Sequence, residues 1–428
     1  MFIFYDLIFI VFALCYLPVY ALKRKFHRGF LMRLGFFPAE LKSKLTNERP
    51  IWLHAVSVGE VNALRQLLEG LRREYPHRRI VISTVTPTGN AIAASMSAKE
   101  DIVFYLPLDI SAVVRRIVNI INPAVFIIAE TEIWPNLISC VYKKMVPTII
   151  VNSRISDKSF KRYKPIKFLL KPILNKVSRF CVQTKTDCLR LRELGVRDEK
   201  IAVTGNMKFD AVDYTDLKID CADYKLRLGL KDNEKLLVAG STHPGEEKIM
   251  LEVYKELLNE FPGLKLLIAP RHPWRAKEIE KLVLNNSFNP VFISKLERTA
   301  QDAQHATVFI LDAIGQLLPF YAVSDLVFIG GSLIKKGGQN LLEPAAFAKP
   351  ILFGPNMFNF RDIARLFIEN NACVSVCDKG ELLEGIKLLL HNPSKTAELG
   401  ARAKALILKN KGATERNLEC VRKIAGTL

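Results

Sequence analysis

The chain has 428 residues, of which 49% are hydrophobic and 25% are charged. At about 150 residues per domain this length predicts roughly two or three domains, and the composition excludes collagen-like, disordered and small disulfide-rich proteins. The 62 Lys and Arg residues exceed the 43 Asp and Glu residues, for a formal net charge of +19. This charge favours polyanionic partners: nucleic acid, anionic lipid headgroups or phosphorylated substrates.

Residues 2–21 form an apolar stretch whose only charged residue is Asp6. As a helix, about twenty residues span about 30 Å, the thickness of the hydrocarbon core of a bilayer. The basic residues that follow predict a cytoplasmic location for the rest of the chain and argue against a cleaved signal peptide; they are Lys23, Arg24, Lys25, Arg28 and Arg33. We expect a membrane-anchor helix over residues 1–22, with a buried core helix as the alternative. Asp6 and Pro18 leave open whether the helix spans the bilayer or lies in its interface.

From about residue 50 the chain alternates short apolar strands with amphipathic helices, such as the helix predicted over 61–75. The first series of strands is predicted at 51–55, 79–84, 124–129, 148–151 and 179–183. A charged stretch at about 205–235 separates it from a second series, predicted at 235–240, 264–269, 307–311, 325–330 and 350–354. Strands this apolar, alternating with helices, predict parallel sheets that are covered on both faces.

Two series of similar size predict two doubly wound, Rossmann-like α/β domains that face each other across a cleft. We place the first domain at 23–212, a linker at 213–232 and the second domain at 233–428. The second domain then includes a basic helical segment from about residue 395. Ligands of such sheets bind at the carboxyl ends of the strands.

The eight cysteines show no CxxC spacing, and most lie in apolar runs. This pattern predicts reduced, structural thiols in a cytoplasmic protein and argues against a zinc site. The sequence also lacks a Walker A loop, GxGxxG, HExxH and DxD. We therefore favour group transfer without a metal.

Three motifs of the first domain carry candidate chemistry. Ser57 and Glu60 fit a helix capping box, and the Glu60 carboxylate could also take a proton from a hydroxyl. Glu130 and Glu132 both follow a buried strand, where capping of the next helix accounts for one carboxylate more easily than for two. Lys208 could meet an anion in the cleft or pair with a carboxylate at the surface.

The second domain carries motifs that suit a nucleotide. The turn at 240–247 could bind a phosphate at a helix start or be a plain cap, and Arg271 suits bidentate phosphate binding. A glycine-rich loop precedes a helix for which Asn340 could be the N-cap residue and Glu343 the N3 residue. That helix start could bind a phosphate, and Glu343 a ribose. The segment 312–316 could complete the pocket, which makes this domain the nucleotide binder and the first domain the acceptor domain.

Taken together, these motifs resemble a known family. They are, in chain order, SVGE, ETEIWPNLI, NSRIS, GNMKFD, GSTHPGEE, APRHP and GGQNLLEPAAFAKPILFGP. Over nearly the whole chain they look like the 3-deoxy-D-manno-octulosonic acid (Kdo) transferases of lipopolysaccharide synthesis. The resemblance implies the GT-B fold and inverting transfer of Kdo from CMP-Kdo to the lipid A precursor, lipid IVA. It also implies a site at the cytoplasmic face of the inner membrane, no cofactor and no metal.

The resemblance assigns site residues in both domains. Glu60 corresponds to the catalytic base of the family, and Glu130 and Lys208 to residues that stabilise the transition state. Contacts to CMP are implied for Pro270, Arg271, Ile314, Gly315, Gln316, Asn340, Leu341, Leu342 and Glu343. The sequence departs at Gln316, where some relatives have glutamate.

Two other functions compete with this interpretation. One is a GT-B transferase or epimerase that uses another sugar nucleotide. The other is a membrane-tethered nucleic-acid-binding protein, suggested by the net charge of +19. The sequence shows no recognised nucleic-acid module and no basic–aromatic array, so we expect CMP-Kdo, lipid IVA and anionic membrane lipids as partners and no nucleic acid.

Overall fold

The computed structural model describes residues 5–7, 9–11, 29–45, 48–212, 218–296 and 308–426. The chain divides into two compact units: Met1–Ala211 together with Asn410–Leu428, and Val212–Lys409. Each unit contains one parallel seven-stranded sheet. Parallel neighbours need crossover connections, and the amphipathic helices between the apolar strands supply them and cover the sheets.

The first unit contains the sheet formed by the first half of the chain. Its strands are β1 (Ile51–His54), β2 (Ile80–Thr84), β3 (Ile102–Tyr105), β4 (Val125–Ala129), β5 (Thr148–Ser153), β6 (Arg179–Val182) and β7 (Ile201–Val203). Its α-helices up to β7 are α1 (Phe30–Arg33), α2 (Ala39–Leu45), α3 (Val58–Ala63), α4 (Arg65–Glu74), α5 (Pro87–Met96), α6 (Ser111–Ile121), α7 (Pro135–Lys143), α8 (Asp157–Tyr163), α9 (Lys167–Leu174) and α10 (Lys185–Glu193).

The order of the strands in this sheet is β3-β2-β1-β4-β5-β6-β7. The chain first winds outward from β1 to β3 and then returns to the other side of β1 with β4. Open α/β sheets bind ligands at such a reversal, outside the carboxyl ends of the two strands. The predicted residues Glu60 and Glu130 follow β1 and β4, so both lie at the reversal.

The second unit contains a sheet with the order β10-β11-β9-β8-β12-β13-β14. Its strands are β8 (Lys235–Thr242), β9 (Leu264–Pro270), β10 (Pro290–Phe292), β11 (Val308–Ile310), β12 (Leu326–Ile329), β13 (Ile351–Phe353) and β14 (Val374–Ser375). Its α-helices are α11 (Cys221–Arg227), α12 (Glu246–Leu258), α13 (Ala276–Asn285), α14 (Leu317–Val323), α15 (Leu342–Ala346), α16 (Arg361–Glu369), α17 (Lys379–His391) and α18 (Pro393–Asn410).

The last helix, α19 (Ala413–Ala425), belongs to the first unit. Its Leu418 and Val421 are buried in the same apolar cluster as Leu53 of β1. The predicted second domain, 233–428, includes this helix because the helix follows that domain in the chain, and this part of the predicted boundary is wrong. Burial against the first sheet, rather than chain order, decides where the helix packs.

Two further boundaries bear on the predictions. Of the predicted linker 213–232, residues 213–217 lie outside the described residues, and α11 forms part of the second unit. Of the predicted anchor 1–22, the structure describes residues 5–7 and 9–11, which are helical. The remainder of that prediction lies outside the described residues. Within the described part of the chain, no helix has both the length and the apolar character needed to cross a membrane.

Candidate active site

Glu60 lies in the first turn of α3, just after the carboxyl end of β1. Its Oε2 accepts a hydrogen bond from the Val56 backbone N–H (2.6 Å), and its Oε1 accepts one from the Ser57 hydroxyl (3.1 Å). Ser57 is the N-cap residue, but its side chain makes no capping hydrogen bond. Only the glutamate half of the predicted capping box therefore forms. The carboxylate is held in a defined orientation at the edge of the sheet.

The pKa of Glu60 is raised, first by burial and then by the charge of Glu130. Its hydrogen bonds to Val56 and Ser57 lower the pKa and so offset part of this shift. A carboxylate becomes a more effective proton acceptor as its pKa rises toward the working pH. Next to it in the chain, a Cβ added to Gly59 would meet no atom within 4 Å. The turn that carries Glu60 therefore borders open space.

Glu130 follows β4 and pairs with Lys208, whose Nζ lies 3.1 Å from Oε1 of the glutamate. Both side chains are 24% exposed, so the pair is partly shielded from water. Glu130 has φ of 56°, in the left-handed region that costs a residue with a side chain about 1–2 kcal/mol. Strain of this kind persists where the surrounding structure holds it, often at functional sites. The structure thus brings the predicted Glu130 and Lys208 together, and the charge of Glu130 also reaches Glu60.

Glu132 completes a group of three carboxylates at this edge of the first sheet. Burial, followed by the charges of Glu60 and Glu130, raises the pKa of Glu132 to about 7. Such a shift is expected where like charges share a site with little water. Sequence reasoning noted Glu132 in its motif but did not select it as a site residue, although the paired carboxylates after a buried strand were the signal.

A network of buried polar groups positions Lys208. The short 3₁₀ helix Met207–Phe209 begins at Asn206, whose Oδ1 accepts from the Lys208 backbone N–H (3.0 Å). Oδ1 of Asn152, at the end of β5, accepts from the Met207 N–H (3.0 Å), and the Asn152 N–H donates to Asn417 of α19 (3.2 Å). Sequence reasoning missed Asn152 and Asn417 as supports, because they are distant in sequence from Lys208.

Asp210 connects the same segment to the last helix. Its carboxylate accepts hydrogen bonds from the backbone N–H groups of Gly412 (2.7 Å) and Thr414 (2.5 Å) at the start of α19. An acidic side chain at the start of a helix is favourable because the unpaired N–H groups and the helix dipole both stabilise it. The sequence analysis considered a surface pairing for Lys208, whereas the structure uses Asp210 for the helix and Glu130 for the lysine.

In the second unit the predicted CMP-contact residues follow β9, β11 and β12 at the carboxyl edge of the sheet. Pro270 ends β9, and the Arg271 backbone N–H donates to the Thr242 carbonyl oxygen (2.9 Å). The side chain of Arg271 is exposed, and its charge lowers the pKa of Glu343, against the larger effect of burial, which raises it. Arg271 and Glu343 therefore lie near each other, as a shared nucleotide site requires.

The segment 340–343 differs in detail from its prediction. Oδ1 of Asn340 accepts from the Leu342 N–H (3.2 Å), and its Nδ2 donates to Oε1 of Glu343 (3.0 Å). The helix starts at Leu342, so Leu341 rather than Asn340 occupies the N-cap position. Leu341 and Leu342 are buried, so their side chains pack in the core. The predicted N-cap position of Asn340 is therefore wrong, although its side chain does occupy the Leu342 N–H at the start of the five-residue α15.

Ile314, Gly315 and Gln316 form the exposed turn between β11 and α14. Ile314 is 84% exposed. Gly315 has φ of 80°, which a residue with a side chain rarely adopts. The turn thus presents an apolar side chain and accessible backbone at the carboxyl edge.

The turn at 240–247 contains Glu246, whose carboxylate is bound by backbone N–H groups of this turn and of the loop after β12. The Glu246 carboxylate accepts from the backbone N–H groups of Gly331 (2.6 Å), Ser332 (3.0 Å) and Leu333 (3.1 Å), and also from that of His243 (3.0 Å). Glu246 lies after β8 and the other three residues lie after β12, so the contact bridges the point where the strand order reverses. The turn was predicted to bind a phosphate or to be a plain cap. Its His243 N–H is taken by the Glu246 carboxylate.

A family model described as 3-Deoxy-D-manno-octulosonic-acid transferase (kdotransferase) matches residues 28–211. A 3-deoxy-D-manno-octulosonic acid transferase of Haemophilus influenzae is 34% identical to this chain, over 96% of the chain and 94% of its own length. Another from Chlamydophila psittaci is 32% identical, over 98% of this chain and 95% of its own length. The chain belongs to the Kdo transferase family.

The fold agrees with that assignment. A glycosyltransferase from Rickettsia africae superposes with a TM-score of 0.58, over 89% of this chain and 99% of its own length, at 14% identity. At this identity the similarity shows the fold alone. Together with the two parallel seven-stranded sheets, it confirms the predicted α/β architecture of the GT-B type, with two Rossmann-like units. Membership of the Kdo transferase family, rather than the fold, identifies the chain as a glycosyltransferase, as predicted.

The geometry groups the predicted residues of the Kdo transferase by unit. Glu60, Glu130 and Lys208 lie at one edge of the first sheet, where a carboxylate of raised pKa stands beside an ion pair. Arg271 and Glu343 lie near each other at the carboxyl edge of the second sheet. Proton removal and electrostatic stabilisation are the chemistry that the first group supports.

Proposed function

We propose that this Kdo transferase moves Kdo from CMP-Kdo to a hydroxyl of lipid IVA, with inversion and with Glu60 as the general base. The arrangement at the carboxyl ends of β1 and β4 carries the proposal. There, Glu60 is oriented by two hydrogen bonds and has a raised pKa, and the Glu130–Lys208 pair lies beside it. Membership of the family supports the transfer of Kdo.

The proposed reaction exchanges one C–O bond for another. Glu60 takes the proton of the acceptor hydroxyl, and the oxygen forms a bond to the anomeric carbon of Kdo. The bond from that carbon to the phosphate oxygen breaks, and CMP departs with the electron pair. Fixed positive charge stabilises the developing anion, a role that we assign to Lys208 and Arg271.

Donor binding is assigned to the second unit. Arg271 offers a guanidinium to the phosphate, and Glu343, held by Asn340, accepts a hydrogen bond from a ribose hydroxyl. Ile314, Gly315 and Gln316 are assigned to the base, and the contacts that the resemblance implies for Pro270, Leu341 and Leu342 complete the site. We include no metal and no cofactor in the reaction, as the family resemblance implies.

We place the reaction at the cytoplasmic face of the inner membrane, with the N-terminal segment as the single anchor. The net charge of +19 supports this location, because the donor, the phosphorylated acceptor and the membrane surface are all anionic. The basic residues after the apolar stretch support the same orientation.

Transfer of Kdo onto lipid IVA, from CMP-Kdo generated in situ and with products read by mass, tests the proposal. Glu60→Gln removes the base with little change in size, so we expect turnover to fall at least about 10²–10⁴-fold. CMP affinity should stay within about twofold, because Glu60 lies outside the second unit. Glu69→Gln, at an exposed position on α4, is the control and should retain wild-type turnover.

Near-normal turnover of Glu60→Gln would remove Glu60 from the role of base. Protection from unfolding by CMP, but not by UDP, is expected for wild-type protein, and the reverse preference would favour a GT-B enzyme of another sugar nucleotide. Folded protein that binds CMP but forms no product with lipid IVA would contradict the proposed acceptor.

A further inference from the structure

A polar cavity of about 110 Å³ opens between α6 and α7 in the first unit. This volume is several times what one water molecule needs. It includes none of the proposed catalytic residues. Its lining residues are polar or basic apart from one thiol: Ser111, Arg115, Asn136, Ser139, Cys140 and Lys143.

Asn136, one of the lining residues, carries a buried amide oxygen that needs a donor. Asn136 is only 4% exposed, and its Nδ2 donates both to Asp6 Oδ1 and to the Asp109 carbonyl oxygen, each at 2.6 Å. These two bonds fix which end of the amide is the nitrogen. Its Oδ1 is buried and has no hydrogen-bond partner in the part of the chain that the structure describes. Buried acceptors are normally paired, so a ligand hydroxyl fits here.

The mouth of the cavity is cationic. Arg115 and Lys143 line it, and no ion pair joins Arg115 to a carboxylate within the described ranges. Lys176 approaches the same place and donates to the Ser139 hydroxyl (2.8 Å). Its pKa is lowered, first by burial and then by the charge of Lys143. Positive groups that crowd one another in this way are stabilised by an anion between them.

Two carboxylates lie beside the cavity, but their oxygens are turned to backbone N–H groups. Asp109 accepts from the N–H groups of Asn136 (3.1 Å) and Leu137 (2.9 Å), and Asp6 accepts from the N–H of Ser111 (3.2 Å). Burial raises the pKa of Asp109 to about 6, so the group is still mostly ionised at neutral pH and is held by these N–H donors. The helix N-termini are thus already occupied, and an anion would bind to the basic side chains and hydroxyls of the cavity.

The contacts of Asp6 also bring an apolar segment to the cavity. Residues 5–7 and 9–11 are helical, and Leu7, Ile10 and Val11 are 59%, 39% and 52% exposed. Exposed apolar side chains beside basic groups are typical of surfaces that lie in the membrane interface, with cations at the level of the lipid phosphates. The location of the cavity therefore indicates a lipid rather than a soluble ligand.

We propose that the cavity between α6 and α7 binds the headgroup of an anionic membrane lipid that carries both a phosphate and a hydroxyl. The phosphate pairs with Arg115 and Lys143, and the headgroup hydroxyl donates to Asn136 Oδ1. The inference deepens the proposed membrane association, on which it rests, by assigning a specific headgroup site to it. No covalent bond forms or breaks at this site.

Vesicle binding by the full chain tests the site, with phosphatidylglycerol as the probe in a phosphatidylcholine bilayer. The double variant Arg115→Gln/Lys143→Gln removes the cationic mouth. The matched control, Arg116→Gln/Lys144→Gln, removes the same charge from the adjacent positions, one on α6 and one at the C-cap of α7, and Arg116 instead lies over the Phe36 ring (5.4 Å). We expect about a tenfold or greater loss of affinity for the first variant and a smaller loss for the control, which keeps both cations that line the cavity.

A second comparison tests the hydroxyl. Phosphatidylmethanol has the same charge as phosphatidylglycerol but no headgroup hydroxyl, and we expect the wild-type protein to bind it more weakly at equal surface charge. Equal losses in the two double variants, or equal binding of the two lipids, would overturn the site. Binding of free glycerol phosphate that depends on Arg115 and Lys143, without such dependence for vesicles, would overturn the lipid assignment in favour of a soluble phosphorylated polyol.

These measurements need neither CMP-Kdo nor an acceptor. Failure of the headgroup site is thus distinct from failure of the proposed sugar transfer: the first is read from vesicle binding, and the second from product mass. Thermal unfolding of both double variants shows that any loss of binding comes from folded protein.

Discussion

Glu60 shows how one side chain can hold a local structure and also be oriented for the proposed chemistry. Its hydrogen bonds to the Val56 N–H and the Ser57 hydroxyl hold the start of α3, and the same bonds orient the carboxylate beside Glu130. The two interpretations that the sequence left open, a capping residue and a catalytic carboxylate, are therefore compatible. The φ of 56° at Glu130 is a second residue-scale feature of this edge.

The raised pKa of Glu132 predicts that the stability of the protein depends on pH. Its pKa is about 7 in the folded protein, because of burial and the charges of Glu60 and Glu130, so between about pH 4.5 and 7 the folded state binds more protons than the unfolded state. The contribution of this group to the free energy of unfolding is fully present at low pH and is lost as the pH rises through 7. Glu132→Gln should remove this dependence. As the pH rises from 5 to 8, the free energy of unfolding of the variant should therefore increase by about 1–3 kcal/mol relative to that of the wild type.

Urea unfolding of the two proteins at several pH values measures the effect. Glu69→Gln, at an exposed position, should leave the pH dependence of wild-type protein unchanged. A Glu132→Gln variant whose stability changes with pH as the wild type does would contradict the raised pKa.

At the scale of elements, the sequence predicted ten strands, and the structure contains each of them. The four that it missed are β3 and β7 in the first sheet and β10 and β14 in the second. All four are edge strands, and all four have a less buried pattern than central strands such as β1 and β4. An edge strand has one neighbour and is short, so its apolar signal is weaker.

The predicted helix over 61–75 is two helices in the structure, α3 and α4, which meet at Leu64. The apolar positions continue through the junction, because both helices bury the same side against the sheet. Periodicity alone therefore could not show the break. The start of α3 at Val58 follows from the Glu60 carboxylate, which binds the preceding turn.

At the scale of β8, β12 and their connections, Glu246 positions the loop that follows β12, and this contact leads to a prediction. Its carboxylate holds the amides of Gly331, Ser332 and Leu333, and the loop that they begin leads to Asn340. Glu246→Gln places an amide group against N–H donors, which costs about 1–3 kcal/mol for each group left unpaired. We expect CMP affinity to fall about tenfold.

Calorimetric titration of CMP measures this loss, and Glu246→Asp should recover part of the affinity because it keeps the negative charge. Glu256→Gln on the same helix is the control: its side chain is 48% exposed and pairs with Lys379, so CMP affinity should not change. Wild-type CMP affinity for Glu246→Gln would show that the loop does not depend on this carboxylate.

At the scale of the whole molecule, the two units are not two consecutive halves of the chain. The first unit needs α19, which contributes Leu418 and Val421 to its core and Asn417 to the support of Asn152. Chain order alone placed this helix with the second domain. The two parts of the first unit are thus separated by the entire second unit in sequence.

Truncation after Asn410 tests this organisation. It removes α19 and leaves apolar surface of the first sheet and the Asp210 carboxylate uncovered, so we expect the first unit to lose several kcal/mol of stability. Sugar transfer should be lost, because Lys208 lies two residues from Asp210. CMP binding should persist, because the second unit retains its sheet.

Hydrogen exchange resolved by segment distinguishes the units. Rapid exchange is expected in β5 and β6 of the truncated protein, with unchanged protection in β8 and β9. Loss of CMP binding together with loss of protection in the second sheet would show that α19 supports both units. A truncated protein with full transferase activity would contradict its role in the first.

The sequence by itself determined the two parallel α/β sheets and the residues at their strand ends. Short apolar strands alternating with amphipathic helices can bury their surfaces only in covered parallel sheets, and polar motifs between them must lie at the sheet edge. Only the tertiary structure decided the partners: Lys208 with Glu130, Glu246 with the amides after β12, Asp6 with Asn136 and α19 with the first sheet. These contacts join residues far apart in the chain, and their distances depend on how helices and strands pack, which local pattern does not encode.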